Sequence, residues 1–552
     1  MLLVECGALL VASGVCWLLM RRARRLTVHP RWLLWLLATN LRGVSFVIAL
    51  ALVARALLLP IAGIPDPRVN DEYSYLLMAD TFAHHRLANP TPPAWQHFET
   101  FHVNLVPTYH SKYPVAQGVA LTAGQVVFHQ PWIGVYLSTA LLCGAICWAL
   151  QAFVSPGWAL LGGLLAVVRL ALLSYWMNSY WGGSMAALGG AVALGAVVRL
   201  FHSGRSGPDR VLLSSAFAAG LLILATSRPY EGLAFSLPLF GYFGYRVIRD
   251  RVRGSVLLQA SLPLVLFSVA GSLAMGHYNR ATTGQALLMP YVLNYRTYWP
   301  LPFFLGQKGN PGLELQDPVF AKFFQSTEEE YGYQKTKTIS GLLDLESQRL
   351  GSDWFFYIGP ALSLPVLIGF LSCIQQARLR IVVLVSLSTA AALAVCIYSM
   401  PHYAAPATVA VYVFAVEGLR YLWDQKACGE RSFVVAVCVT VLAVSLARQT
   451  GSTALNSRFQ FPNQRKLIAE QLSSRPGKHL VLVSYDLDRH YPGNELVHNG
   501  ADFDSEKILW ARSKGEGKDV GLCAAYPDRA FWSVATDDEH VAMRASDLCK
   551  HP

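Results

Sequence analysis

The sequence predicts an α-helical multi-pass membrane protein of about twelve spans, with external interfacial helices and a small C-terminal α/β domain. Three observations carry this. Of 552 residues, 53% are hydrophobic and 14% charged, where a soluble protein of this size carries about 25% charge. The apolar residues fall in repeated continuous runs, which fit membrane helices and not the alternating strands of a barrel. The formal net charge of +11 sits mostly in short loops between these runs, the pattern of cytoplasmic loops, so no nucleic-acid partner is expected.

Residues 1–20 form the first span. Arg21–Arg25 follow it and are expected in the cytoplasm, which leaves the N-terminus outside. Because the arginines come after the apolar run, no cleavable signal pattern is present. A second span, 43–61, then crosses outward into a polar, aromatic loop, 68–114. The next run, 113–128, is apolar, but the later basic loops at 199–210, 246–253, 378–380 and 420–431 fix its sides by parity. It must enter and leave on one face, and so reads as an interfacial helix.

Further spans are expected at 132–153, 157–175, 184–201, 211–226, 231–247, 255–275, 355–375, 381–399, 404–423 and 432–448. Two external loops result, about 65–131 and 278–354. The second holds NYRTYWPLPFF and a charged segment, 328–346, that reads as one surface helix. The membrane domain occupies residues 1–454 and an external domain residues 455–552. In the latter a helix at 465–472 precedes strands at 480–484, 507–510 and 530–534.

Ten cysteines are present and none forms a CxxC pair. Cys143, Cys147, Cys396 and Cys438 lie in apolar runs as small buried hydrophobes. Cys523 and Cys549 are the two in the external domain, where oxidation is permitted, and a disulfide between them is expected.

Chemistry points to the first external loop. Asp71 and Glu72 stand at its start and Lys112 near its end. A structural reading makes Asn70 or Asp71 the N-cap of the helix in YSYLLMADTFAHH, with Glu72 favouring the helix dipole. A functional reading puts an acid for proton handling and a cation for an anionic head group at the membrane surface. Arg228 and Glu231, in TSRPYEG, fall at the outer face by the same parity, and a guanidinium suits phosphate geometry. Six of the fifteen histidines lie between His84 and His129. His97, Glu99 and His102 are a possible metal set, but a solvated loop is the favoured reading.

Asp-Glu-x-x-Tyr at Asp71, Glu72 and Tyr75, then ADTFAHHRLANPTPP and HSKYPVAQGV, resemble in order the first-loop motifs of the GT-C membrane glycosyltransferases. The likeness is to the protein O-mannosyltransferases and lipid A aminoarabinose transferases. It implies a GT-C-like fold in the inner (plasma) membrane, with the site and C-terminal domain on the periplasmic or extracellular side. It implies a polyprenyl-phosphate-linked sugar donor and inverting transfer to a lipid, glycan or protein acceptor. By the same resemblance Asp71 is the catalytic base and Glu72 its supporting neighbour. Lys112 and Arg228 would meet the donor phosphate, with Tyr75, Tyr113 and Glu231 beside them.

The sequence also departs from the family. Many relatives carry a second acid where this chain reads NSYWGGSM at 178–185, without a carboxylate. A divalent cation is possible, with no cofactor certain, and a two-acid or metal-dependent scheme lacks its second acid. Trp176, Tyr180 and Trp181 there read as an aromatic belt or a sugar-stacking surface, with the belt the favoured reading. A transporter or flippase of a lipid-linked sugar, or a non-catalytic scaffold with an external binding domain, are the alternatives. The first would want charges at the bilayer midplane.

Overall fold

In a computed structural model, residues 2–22, 35–202, 204–310, 312–315, 317–425, 428–455, 461–491, 493–537 and 541–549 are described. Residues 23–25 of the first basic run lie outside these, as do residues 456–460 at the start of the C-terminal domain.

The chain opens with α1 (Leu2–Arg22) and α2 (Asn40–Ala62). The Thr39 hydroxyl starts α2 by accepting the Arg42 N–H at 3.3 Å. The first loop folds into α3 (Asn70–Ala83), a short antiparallel pair β1 (Val103–Asn104) and β2 (His110–Ser111), and α4 (Val115–Phe128). With 14 residues, α4 is about 21 Å long, short of the ~30 Å hydrocarbon layer.

Then come α5 (Trp132–Leu150), α6 (Pro156–Ala166) with a π-helical turn at Val167–Ala171, α7 (Ser184–Leu200), α8 (Gly207–Ser227), α9 (Pro229–Arg249) and α10 (Gly254–Thr283). The second loop carries α11 (Pro290–Tyr298), α12 (Pro318–Tyr331) and α13 (Ile339–Asp353). The single surface helix expected over 328–346 is therefore two. Gly332 adopts φ 66°, left-handed backbone that cannot continue an α-helix, and a 3₁₀ turn at Tyr333–Lys337 follows.

After a π turn at Trp354–Ile358, α14 (Gly359–Gln375), α15 (Arg380–Ala394), α16 (Thr408–Asp424) and α17 (Cys428–Leu455) complete the helical part. α14 and α16 touch at Gly369 and Gly418. A Cβ on either would fall 1.8 Å from a carbonyl oxygen of the facing helix, the close approach that small residues permit.

Among the described residues five helical runs are long and apolar enough to cross a membrane: Leu41–Ala62, Trp132–Leu150, Gly207–Ser227, Gly254–Thr283 and Ile339–Gln375. Pro156–Ala171, Ser184–Leu200 and Arg380–Ala394 are shorter apolar helices. Five is fewer than the twelve expected spans, although helices also cover the expected runs at 231–247 and 432–448. The run expected at 381–399 stops being helical at Ala394.

The C-terminal domain has α18 (Phe461–Ser473), β3 (Lys478–Tyr485), β4 (Ile508–Arg512), α19 (Glu516–Ala525), β5 (Arg529–Thr536) and β6 (Val541–Ala545). Its sheet runs β4-β3-β5-β6, with β3 parallel to β4 and β5 and with β6 antiparallel at the edge. The sequence reading missed β6, a five-residue edge strand without a buried face. Cys523 and Cys549 form the expected disulfide, with Cα atoms 5.6 Å apart.

This domain rests on the first loop. Phe98 and Tyr109 pack edge-on against Phe503. The Tyr109 hydroxyl donates to Asn499 O at 2.8 Å, and the Ala501 N–H to Asp80 Oδ2 at 2.7 Å. Arg512, buried, pairs with Asp317 of the second loop at 2.7 Å and with Glu495. Around His97, His102 and His110 the histidine-rich loop is thus not a solvated one, while His84, His85 and His129 are exposed. His97 is buried, its Nδ1 donating to Arg512 O at 3.0 Å, and His110 is buried beside Asn104. Burial follows from the apolar residues between the histidines, which have the C-terminal sheet to cover them.

Candidate active site

The first turn of α3 is built by Glu72. Val69, the residue before the helix, has no capping side chain. The Glu72 carboxylate takes that role, accepting N–H groups from Arg68 at 2.6 Å and Val69 at 3.1 Å. Its other oxygen accepts the Tyr180 N–H at 2.8 Å. Glu72 therefore ties α3 to the segment between α6 and α7. Burial pushes its pKa up to about 7, against the opposing pull of these hydrogen bonds.

With Glu72 as the cap, Asp71 is released from capping. Neither Asn70 nor Asp71 closes the helix, unlike the structural reading of the sequence. Asp71 Oδ1 accepts the Tyr113 hydroxyl, and Oδ2 lies 3.4 Å from His102 Nε2. Burial works against its charge. His102, Lys112 and Tyr113 outweigh burial, and the carboxyl is held well below the usual carboxylate range.

One turn along the same face, Ser74 Oγ donates to His102 O at 2.6 Å. The Lys112 N–H donates to the same carbonyl at 3.1 Å. These bonds fix His102 over Asp71 in a left-handed conformation, φ 66°. Tyr113 also stacks on Tyr75, ring centroids 4.4 Å apart.

Lys112 is 5% exposed. Its Nζ lies 5.2 Å from the ring centroids of Tyr113 and Tyr291 and 5.3 Å from that of Trp299. Among the described residues this Nζ makes no hydrogen bond and no ion pair. Burial lowers its pKa to about 8, with Asp71 opposing and Arg228 adding to the fall. Arg228, at the junction of α8 and α9, lies 4.2 Å over the Tyr403 ring and 3.7 Å from Glu231 Oε1.

All seven sequence-predicted residues, Asp71, Glu72, Tyr75, Lys112, Tyr113, Arg228 and Glu231, line one cavity of about 1600 Å³. Its polar end holds these groups with His102 and His402. Its other end is walled by apolar residues of α8 and α10, among them Leu221, Leu264, Phe267 and Met275. Tyr491 and Gly493 of the C-terminal domain reach the same cavity. Sequence reasoning missed Tyr291, Trp299, His402, Tyr403 and Tyr491. An aromatic cluster in NYRTYWPLPFF, and a histidine and tyrosine beside Pro401 where a span was expected to start, were the available signals.

The aromatic belt reading of 176–181 is corrected. Trp176 is 0% exposed and packs on Phe356, while Trp181 lines the cavity 4.6 Å from His402. The segment turns inward because Glu72 and Arg55 hold it: the Arg55 Nη2 donates to Asn178 Oδ1 at 3.0 Å.

The groups do not suit a metal ion. Among the described residues no three His, Cys, Asp or Glu side chains converge on one point. His97 faces Asp519, Glu99 faces Lys514 and His102 faces Asp71. The three carboxylates of the cavity are likewise turned to separate partners.

No protein-family model matches the chain, and no curated protein matches it. Its backbone is similar to solved structures at low identity. The apo oligosaccharyltransferase of Archaeoglobus fulgidus aligns with a TM-score of 0.48 and 10% identity, over 81% of this chain and 62% of that one. The chain thus spans less than two thirds of that protein. The same enzyme in complex with Zn and sulfate gives 0.49 and 10%, over 89% and 67%. ArnT from Cupriavidus metallidurans bound to undecaprenyl phosphate gives 0.48 and 10%, over 90% of this chain and 93% of that one.

Proposed function

We propose that this protein is a GT-C-type integral membrane glycosyltransferase. In this reading it moves a sugar from a polyprenyl-phosphate donor to an acceptor hydroxyl at the outer face of the membrane. The observation that carries it is a single cavity with an apolar end between α8 and α10 and a polar end holding one unpaired buried cation, Lys112, beside Asp71. A lipid chain suits the first end and a phosphate the second. A buried ammonium without a carboxylate partner is costly, and an anionic ligand supplies the missing partner.

Lys112 and Arg228 hold the donor phosphate and stabilise the charge that grows on it as the anomeric C–O bond breaks. Phosphate leaves readily, so no strong general acid is needed. Asp71 acts as, or helps, the base at the acceptor hydroxyl. Direct attack by that oxygen inverts the anomeric centre. Glu72 keeps α3 in register. Tyr75 and Tyr113 form a stacked wall beside the reacting sugar, and Glu231 orients Arg228. No step is routed through a metal ion, since the donor groups here do not converge.

The test uses purified full-length protein in nanodiscs with a panel of undecaprenyl-phosphate-linked monosaccharides. Release of undecaprenyl phosphate that depends on Asp71 supports the reading. Binding of every donor without turnover, in the presence of membrane extract as acceptor, would overturn it in favour of transport.

A further inference from the structure

The base function at Asp71 leaves a chemical difficulty. A carboxylate held well below its usual range is a weak proton acceptor. Next to it stands a group better suited to the task. His102 lines the cavity, and its Nε2 faces Asp71 Oδ2 at 3.4 Å, a separation of the kind that tightens when substrate binds. Its Nδ1 has no hydrogen-bond partner among the described residues.

Building on the glycosyltransferase reading, we propose that His102 is the proton acceptor, with Asp71 holding its Nε2–H so that Nδ1 faces the acceptor hydroxyl as a bare nitrogen. The step balances without any co-reactant. The hydroxyl proton passes to His102 Nδ1 and the oxygen lone pair forms the new bond to the anomeric carbon. The bond from that carbon to the phosphate oxygen breaks, and its electron pair leaves on the lipid phosphate. The imidazolium so formed is stabilised by Asp71 and loses its proton to water after product departs. An acid that orients a histidine and steadies its cation is the logic of the serine-protease triad.

The surroundings fit. Burial lowers the His102 pKa below the ordinary histidine value, Lys112 lowers it further and Asp71 opposes both. The ring is therefore neutral at pH 7 and able to accept. The other titratable groups facing it are Tyr113, at 5.9 Å between rings, and His498 from the C-terminal domain. His498 is itself held well below the histidine range, mainly by burial, and stays neutral. The Tyr113 hydroxyl occupies Asp71 Oδ1, so the carboxylate presents Oδ2 to the imidazole.

Two measurements test this. In ¹⁵N-histidine spectra of the full-length protein, the signals absent from His102→Gln should report an Nε2–H tautomer with unprotonated Nδ1 at pH 7. The opposite tautomer would overturn the dyad whatever the enzyme's substrate. In single-turnover transfer from the undecaprenyl-phosphate-linked monosaccharides, His102→Asn should lose about 10²–10⁴-fold. Asparagine tolerates the left-handed backbone at this position, and unchanged thermal unfolding would confirm that the variant folds.

The double variant Asp71→Asn/His102→Asn should be no slower than either single, because the two act as a unit. The parent rate should rise with pH through a value below 6.5, and this rise should vanish in His102→Asn. Transfer by His102→Asn within a few-fold of the parent, with the rise retained, would return the base role to Asp71 alone. If the parent transfers no sugar from any donor, the functional reading fails, and the tautomer still decides whether the dyad exists.

Discussion

Tyr73 and His498 stack ring on ring, centroids 4.0 Å apart and 4° from parallel. One belongs to the helix that carries Asp71, the other to the C-terminal domain. His498 Nε2 donates to Asn70 Oδ1 at 3.2 Å, and Thr100 Oγ1 lies 3.4 Å from its Nδ1. Asn70 Nδ2 in turn donates to Gly493 O at 3.2 Å. The C-terminal domain therefore holds the residues on either side of Asp71.

His498→Phe keeps the stack and removes both hydrogen bonds, leaving buried polar groups of Asn70 and Thr100 unpaired at about 1–3 kcal/mol. Thermal unfolding should shift down accordingly. In the transfer assay kcat should fall by on the order of 10- to 100-fold while KM for the donor stays put. A KM effect alone would make the domain a binding module instead.

Lys112→Ala should weaken binding of undecaprenyl phosphate about 10- to 100-fold, the equivalent of ~1.5–3 kcal/mol for a charge-assisted contact. In the parent, affinity should decline as pH rises past about 8, because the ammonium, already depressed by burial, loses its proton there. Equilibrium binding in nanodiscs between about pH 6.5 and 9.5 checks both. Arg228→Ala should show the loss of affinity without removing the decline.

Glu72 gives a pH signature in stability instead of binding. Its folded pKa, about 7, lies above the unfolded value of 4.5, so between these values the folded state binds more protons. Stability from this group is greatest below pH 4.5 and diminishes as pH rises through about 7. Glu72→Gln should abolish that slope. It should also cost about 1–3 kcal/mol, since an amide nitrogen would face a backbone N–H donor. Melting temperature against pH, parent beside variant, reads both effects.

The Cys523–Cys549 bond closes a loop of 26 residues. By chain entropy its loss should cost the C-terminal domain about 3.5 kcal/mol. Cys523→Ser with Cys549→Ser should lower the unfolding transition of that domain, and mass mapping of the unreduced parent should find the two residues linked. Both thiols free would remove the expected bond and its stabilisation.

What the sequence made legible was charge out of place. Asp71, Lys112 and Arg228 stand beside apolar runs where ionised groups are costly, and all three line the cavity. Which carboxylate caps and which stays available was not legible. Asp71 and Glu72 are neighbours, and partners from distant segments separate their roles: Tyr180, 108 residues on, for Glu72, and His102 and Tyr113 for Asp71. The cage around Lys112 and the clamp at His498 were hidden for the same reason. They form by packing between distant segments, and each aromatic or histidine alone has an ordinary use in a loop.

The bond from Asn70 to Gly493 spans 423 residues. During synthesis at ~5–20 residues per second, the second partner emerges about 20–80 s after the first. Throughout that interval the helix bearing Asp71 lacks the contacts to Gly493 and His498. The contacts that hold this helix from the C-terminal side are thus the last to form, and a ribosome that stops before Gly493 leaves a chain without them.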